Sequence, residues 1–231
     1  MTPAAAPNAD KAESKKPPER TLSIEGNVAG AVRLGSLSSG YESASRSGLM
    51  YGGGLYFAPD RHWAIGLSYE YSLATREHLN PTSNVTIGNI DRTLQTVALN
   101  LRAYPVRSDK IGLYVNLMAG ATWQTADGTG AYVDNTFPAS PAKTYSTSGG
   151  PQTGLALGAG VGMDLDLSND VAMLTSVNFT QHRLSSDQLS GATQPLPGIG
   201  STSELDFRVA FQYRFDLSGK SSAVQVTTAR R

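Results

Sequence analysis

Apolar and polar residues alternate strictly along several long segments of this chain. The segment GLALGAGVGMDLDL, residues 154–167, has leucine, alanine, valine or methionine at every second position, with glycine, alanine and aspartate between them. A period of two indicates a β-strand whose two faces meet different surroundings. The segment therefore predicts a strand with one apolar face and one small or acidic face.

The same alternation occurs in eight segments and is least regular in 171–179. These segments are residues 22–34, 49–57, 63–71, 93–103, 111–123, 154–167, 171–179 and 205–215. No segment has a helical period of comparable strength, and none approaches the roughly 20 consecutive apolar residues of a membrane helix. The pattern predicts an all-β chain.

The links between the segments alternate in length. Three are tight turns, around Pro59, around Pro105 and at 168–170. The other four are predicted to be long loops rich in Gly, Ser, Thr, Asn and Pro: 35–46, 72–92, 125–151 and 183–202. Strict alternation places all tight turns at one end of the sheet and all long loops at the other. The prediction is an antiparallel up-and-down meander of eight strands.

Alternation alone does not tell which face points inward, because soluble and membrane barrels have opposite polarity. None of the six lysines falls inside a predicted strand, although a solvated strand face usually carries lysine. They are Lys11, Lys15, Lys16, Lys110, Lys143 and Lys220. The polar faces carry arginine instead, which suits buried and paired charge. Since lipid offers no hydrogen bonds, a spanning sheet must close. The fold class predicted is an eight-stranded antiparallel up-and-down transmembrane β-barrel.

Aromatic residues on the apolar face are predicted to form two belts, as expected where a barrel crosses two lipid–water interfaces. The belt at the tight-turn end contains Phe57, Trp63 and Phe215, and the belt near the long loops contains Tyr71, Trp123 and Phe207.

The final strand, LDFRVAFQYRF, ends in an aromatic residue, Phe215. In this and in its architecture the segment 21–215 resembles the small eight-stranded outer-membrane barrels of Gram-negative bacteria, the OmpA and OmpX class. The resemblance implies the bacterial outer membrane, with tight turns and chain ends in the periplasm and long loops outside the cell. One departure is the tail 216–231, since the aromatic residue usually ends the chain. The stretch SAVQVTT, 222–228, could add as a strand to a partner's sheet.

Residues 1–20 are rich in Pro, Ala and Lys and are expected to be a disordered leader. They lack the apolar core of a signal peptide. If the protein is exported, its signal peptide is expected to have been cleaved off and to be missing from this sequence. The chain then divides into the leader 1–20, the barrel 21–215 and a periplasmic tail 216–231.

Parity predicts which charged residues point into the lumen. They are Glu25, Arg33, Glu70, Arg102, Asp164, Asp166, Glu204, Asp206, Arg208 and Arg214, four cations and six anions. The interior of an eight-stranded barrel is just wide enough for side chains to fill it, and buried charges are costly unless paired. A salt-bridged plug is therefore favoured over a narrow polar conduit. Arg102 and Arg208 are expected to pair with these carboxylates.

Glycines are also predicted to point inward from the second and sixth strands. They are Gly52, Gly54, Gly158, Gly160 and Gly162. They either make room for Tyr104, Tyr114, Met118 or the arginines, or leave a small internal cavity.

Composition narrows the possible functions. Zero net charge without a basic cluster argues against nucleic acid, and the absence of cysteine excludes disulfides and thiolate metal sites. No cofactor or metal is expected. The histidines His62, His78 and His182 are expected at turn and loop surfaces. His182 lies close in sequence to Ser185, Ser186 and Asp187, but the spacing does not match a lipid A deacylase signature.

The favoured function is a structural or anchoring barrel that is not an enzyme and binds partners through its loops and tails. A narrow channel for ions or small solutes is the alternative, and a lipid A-modifying enzyme is the least favoured. Expected partners are outer-membrane lipid, lipopolysaccharide and proteins of a membrane complex.

Overall fold

The computed structural model describes residues 20–34, 41–43, 47–79, 85–132, 143–184 and 201–217. All elements within these ranges are strands: β1 Thr21–Leu34, β2 Tyr41–Ser43, β3 Ser47–Ala58, β4 Trp63–Leu79, β5 Val85–Arg107, β6 Ile111–Tyr132, β7 Lys143–Asp166, β8 Val171–Leu184 and β9 Ser201–Asp216. Within the same ranges no helix is long and apolar enough to cross a membrane.

The strands form one closed antiparallel sheet. The sheet order is β2-β4-β3-β1-β9-β8-β7-β6-β5, and a further pairing of β4 with β5 closes it. The short strand β2 pairs with the end of β4, at Glu77–Leu79, beyond the last residue that β3 pairs. Strands β2 and β3 thus occupy a single position in the barrel wall. The predicted eight-stranded up-and-down barrel is confirmed.

The strands are strongly staggered around the barrel. A row of paired residues that starts at Leu22 passes once around the wall and returns to β1 at Val32, ten positions further along. With about 3.3 Å per residue and about 4.8 Å between strands, this stagger corresponds to a tilt of about 40° from the barrel axis.

Three tight turns lie at the same end of the barrel, as predicted. Asp60 Oδ1 accepts hydrogen bonds from the backbone N–H groups of His62 and Trp63, at 2.6 and 3.1 Å. Ser108 and Ser168 close the other two turns through their hydroxyls. The chain ends meet at this end too, where Leu217 N–H donates to the carbonyl of Arg20 at 2.9 Å.

Strands β4 to β7 are much longer than the sequence pattern predicts. Much of the predicted loops 72–92 and 125–151 is strand, since β4 and β5 pair as far as Leu79 and Gly88, and β6 and β7 as far as Tyr132 and Lys143. The backbone ladder continues there without an apolar face, so alternation gives no signal. The expectation that no lysine lies in a strand is wrong for Lys143, the first residue of β7.

The two faces of the wall have opposite chemistry. Ile24 and Val28 of β1 are about half exposed on the outside, whereas Glu25 between them is 3% exposed on the inside. The same inversion holds around the wall, where large apolar side chains face outward and buried polar ones face the lumen. An apolar exterior and a polar interior are typical of transmembrane barrels. The lumen is therefore the core of the molecule.

Candidate functional site

The lumen is the candidate site, and all ten charged residues predicted for it lie on its wall. Arg33 and Asp166 are half-buried, and each of the other eight is less than a tenth exposed. The structure brings eight of the ten together in three groups, which we call the turn-end cluster, the central pair and the loop-end cluster.

The turn-end cluster joins β9 to β7 near the tight turns. Arg214 donates to Asp164 Oδ2 at 2.6 Å and forms a second ion pair with Asp166. Arg107 reaches the same oxygen of Asp164 at 3.4 Å and lies over the ring of Tyr104. A cavity of about 20 Å³ opens beside these residues, enough for about one water molecule.

The central pair consists of Arg102 on β5 and Glu25 on β1, which face each other across the lumen. The guanidinium and carboxylate form a two-pronged contact, with N···O distances of 2.7 and 3.0 Å. The ring of Tyr56 lies 3.9 Å from the guanidinium carbon. Bidentate geometry and a stacked ring suit a buried arginine, since both offset the cost of removing its charge from water.

An apolar layer lies next to the central pair inside the lumen. It is contributed by β4, β5, β6, β8 and β9 and consists of Ala64, Tyr104, Tyr114, Ala172, Leu174 and Ala210. The rings of Tyr104 and Tyr114 contact each other, with centroids 5.5 Å apart. We name this set the apolar layer. The sequence analysis named Tyr104 and Tyr114 as possible lumen side chains, but it gave no inward role to Leu174 or the three alanines, although Leu174 has inward parity.

The loop-end cluster centres on Arg208 of β9. Its guanidinium forms an ion pair with Glu70 of β4 and donates to Asp206 at 3.3 and 3.4 Å. Asn178 Nδ2 donates to Asp206 Oδ1 at 2.9 Å, so that the carboxylate has partners on two strands. Both arginines singled out in the sequence, Arg102 and Arg208, are thus paired with lumen carboxylates.

Two predicted charges lie nearer the long-loop end. Arg33 on β1 is the register partner of Glu204 on β9. Glu204 is 5% exposed and accepts a long hydrogen bond of 3.5 Å from the hydroxyl of Ser72.

Sequence reasoning missed two further arginines of the lumen. Arg92 is fully buried, and Arg107 belongs to the turn-end cluster. Both had been assigned to links between strands, so no parity was given to them. With these two residues, the described part of the lumen contains six arginines and six carboxylates, so their formal charges cancel. The ten residues predicted from the sequence had given an excess of two negative charges.

The expectation for His182 is wrong, because it is 3% exposed on the inner face of β8. The strand continues to Leu184, which gives residue 182 an inward parity. His62 lies exposed in its turn, as expected. The side chain of His78 and the residues Ser185, Ser186 and Asp187 lie outside what the structure describes. The described residues contain no group of three or more potential metal ligands.

The inward glycines make room for large neighbours. A Cβ added at Gly158 would lie 2.7 Å from Met118 Cγ, and one at Gly162 would overlap the ring of Tyr114. At Gly160 it would overlap the side chain of Asn178. Of the two explanations offered by the sequence, space for bulky side chains therefore accounts for these three positions.

Aromatic residues ring both ends of the apolar exterior. Phe57, Trp63 and Phe215 are exposed at the turn end, and Phe207 is exposed further up β9. Tyr71 and Trp123 are half-buried towards the long-loop end. Three further outward tyrosines, Tyr51, Tyr69 and Tyr213, were not assigned to the belts from the sequence. Each contacts a belt residue: Tyr51 stacks on Tyr71, Tyr69 contacts Trp123, and Tyr213 contacts Phe215.

No protein-family model matches the chain. No curated protein matches it either. Among solved structures, it is similar to Neisserial surface protein A, with 9% identity over 84% of this chain and 97% of that chain and a TM-score of 0.49. It is also similar to Ail, the attachment invasion locus protein of Yersinia pestis, with 14% identity over 85% and 99% and a TM-score of 0.45. A third similar structure is the outer membrane protein OprG from Pseudomonas aeruginosa. The identity is 14% over 87% of this chain and 98% of that chain, and the TM-score is 0.45.

The chain's own features are sufficient to name its type. It has eight wall positions, short turns at one end, an apolar exterior with aromatic girdles, and a polar lumen filled by side chains. These features define small outer-membrane-type barrels. The protein is a small eight-stranded transmembrane β-barrel.

Proposed function

We propose that this protein is a sealed barrel that acts as an anchor in the outer membrane and binds partners through its loop end and its chain ends. The observation that supports the proposal is the filled lumen. The central pair and the apolar layer lie across it, with a charged cluster on either side.

A sealed lumen follows from the energetics of this arrangement. An ion that entered would have to displace Arg102 from Glu25, which is unfavourable because both buried charges would lose their partner. It would also have to cross the apolar layer. Apolar side chains exclude water from such a constriction, so a hydrated ion cannot pass easily. Both barriers act at nearly the same depth.

The two ends of the barrel offer surfaces for partners. At the loop end, β5, β6 and β7 stay paired as far as Val85, Tyr132 and Lys143, well beyond the apolar band. At the turn end, the hydrogen bond between Leu217 and Arg20 makes the two chain ends leave side by side. A sheet that extends beyond the apolar band on one side, and Arg20 and Leu217 next to each other on the other, suit an anchoring or partner-binding role.

Planar-bilayer recording tests the seal. The wild-type barrel should show no discrete conductance steps, whereas a Tyr104→Ala/Leu174→Ala double variant, which thins the apolar layer, should conduct. The matched control is Leu113→Ala, which removes a side chain from the lipid-facing side of β6. Steady wild-type conductance would contradict the seal. Pull-down from native membranes tests the partner role, and a barrel recovered alone from intact membranes would count against it.

A narrow conduit is the second candidate. The ladder in which Asn116 donates to Asn100 and Asn100 donates to Ser68, at 3.3 and 2.8 Å, favours it, because these amides could coordinate a water file. A small cavity also opens at the turn end of the lumen, beside Arg107 and Arg214. The recording described above separates the two functions. We also propose that the protein is not an enzyme, and lipid A recovered unmodified after incubation with the purified barrel would support this.

A further inference from the structure

A groove crosses the lipid-facing surface of β1, β3, β4 and β5. Its volume is about 390 Å³, and its apolar lining is provided by Ile24, Gly53, Leu55, Leu67, Tyr69 and Val97. The floor is low because Gly53 has no side chain and its register partner Gly26 has none either. A Cβ at Gly26 would meet nothing within 4 Å. The groove is therefore a depression in the lipid-facing wall, at a place where two paired residues have no side chain.

The groove covers two neighbouring register rows and rises obliquely from β1 towards β5 because the strands are staggered. Its upper end is the register pair of Tyr69 and Val97, towards the long loops, and its lower end is the pair of Ile24 and Leu55. Ile24 is only the fourth residue of β1, counted from the turn end. A chain lying in this groove would point from the loop end towards the turn end.

An aromatic and amide surface caps the upper end of the groove. Tyr51, Tyr71, Gln95 and Trp123 are consecutive partners in one register row across β3 to β6. Tyr51 stacks on Tyr71 with ring centroids 5.1 Å apart, and Tyr69 donates a hydrogen bond of 2.8 Å to Gln95 Oε1. Tyr69 belongs both to this surface and to the groove below. We call these five residues the aromatic platform.

The platform has no charge of its own. Its members are four aromatic residues and one amide, and no lysine or arginine stands in the same register row over the paired positions that the structure describes. A site for a phosphate would be expected to present such cations. Aromatic faces beside a side-chain amide suit a hydroxylated ring, since the rings pack against its C–H faces and the amide bonds to its hydroxyls.

We infer that the aromatic platform and the groove form a binding site for one glycolipid of the outer leaflet. The sugar lies on the platform, and one acyl chain occupies the groove. An apolar channel with a few polar groups at one end is the usual plan of a small-molecule site, in which the polar groups fix the orientation of the ligand. The inference goes beyond the anchoring role and requires only that the barrel lies in the outer membrane.

Titration in nanodiscs tests the site. A Trp63→Phe background leaves Trp123 as the reporter, and the probe is a monoglucosyl diacylglycerol, whose sugar carries no phosphate, added in steps to phosphatidylglycerol nanodiscs. We expect a saturable change in Trp123 emission and one retained glycolipid per chain in native mass spectrometry. Gly26→Leu should fill the groove and raise the half-saturation concentration about tenfold or more. Gly30→Leu is the matched control, because Gly30 faces the same way from β1 with equally open space but lies beyond the groove.

A second pair of variants keeps the test valid if Gly26→Leu does not fold, as judged by gel mobility without boiling. Tyr51→Leu removes half of the stacked pair and should weaken binding, whereas Phe179→Leu removes an exposed lipid-facing ring from β8 and should not. A non-saturable response, or equal responses to additional phosphatidylglycerol and glycolipid, would mean bulk lipid only. A dimer mass that Gly26→Leu abolishes would assign the groove to a second copy. Either result would overturn the glycolipid site, while the conductance and pull-down results would stand.

Discussion

At the scale of single residues, the two-pronged contact between Arg102 and Glu25 is the interaction whose loss should destabilise the fold most. Both side chains are almost fully buried, at 4% and 3% exposed, so that removal of one leaves the other charge without a partner in a poorly solvated lumen. The cost of that orphaned charge exceeds the net gain from making the pair. The fold should therefore be more sensitive to single than to double replacement.

This asymmetry gives a stability prediction. Arg102→Ala or Glu25→Ala alone should lower the free energy of unfolding in detergent by about 3–5 kcal/mol, and Arg102→Met with Glu25→Leu should recover most of the loss. Urea titration followed by the mobility shift of the unboiled protein measures both. Lys110→Ala, in an exposed turn, is the control and should change stability by less than about 0.5 kcal/mol. Single variants as stable as the wild type would show that the lumen is well hydrated.

Within the predicted strand segments, the sequence showed which charged residues face the lumen, but it did not show their contacts. Alternation alone gives Glu25 and Arg102 the same inward direction. Whether they meet depends on the ten-position stagger, which joins residues 77 positions apart and leaves no local signal. Arg92 was missed for another reason, since the segment before it has no apolar alternation.

At the scale of strands, sequence reasoning succeeded only where lipid imposes a pattern. Inside the band, β1 and β9 are close to their predicted limits, because one face must be apolar. Outside it, β5 begins at Val85 and β7 at Lys143, where both faces are free to be polar. Hydrogen bonding between backbones extends those strands without any constraint on side chains. The ends of the band are thus easier to predict than the ends of the strands.

The apolar band can be mapped by comparing two charged substitutions on β6. Leu117→Arg, at a lipid-facing position in the lower half of the strand, should cost about 2–4 kcal/mol of stability in lipid vesicles. Thr129→Arg is also outward but lies in the extended part of the strand and should cost at most about 1 kcal/mol. Refolding titrations in vesicles give both values. Equal costs at the two positions would mean that β6 crosses the membrane at a different level.

At the scale of the whole molecule, the barrel is complete between Thr21 and Asp216. These residues are partners in the β1–β9 register, and one further hydrogen bond joins Arg20 to Leu217. Deletion of residues 218–231, or of 1–19, should therefore leave insertion and the gel mobility shift intact. If the shorter chains bind fewer proteins in pull-downs, the tails carry the partner sites. Failure of either deletion to insert would mean that the removed segment contributes to the barrel.

The stagger and the ion pairs together have a consequence for biogenesis. The central pair joins β1 to β5, and the two charged clusters join β9 to β4 and to β7. The first and last strands thus carry one partner of every group. The pair of Arg208 and Glu70 spans the seam between β1 and β9, so it can form only when the wall has closed. An unfinished sheet keeps unpaired arginines and carboxylates on its inner face, which makes its entry into lipid unfavourable. The interior chemistry therefore penalises early release and couples membrane entry to closure of the barrel.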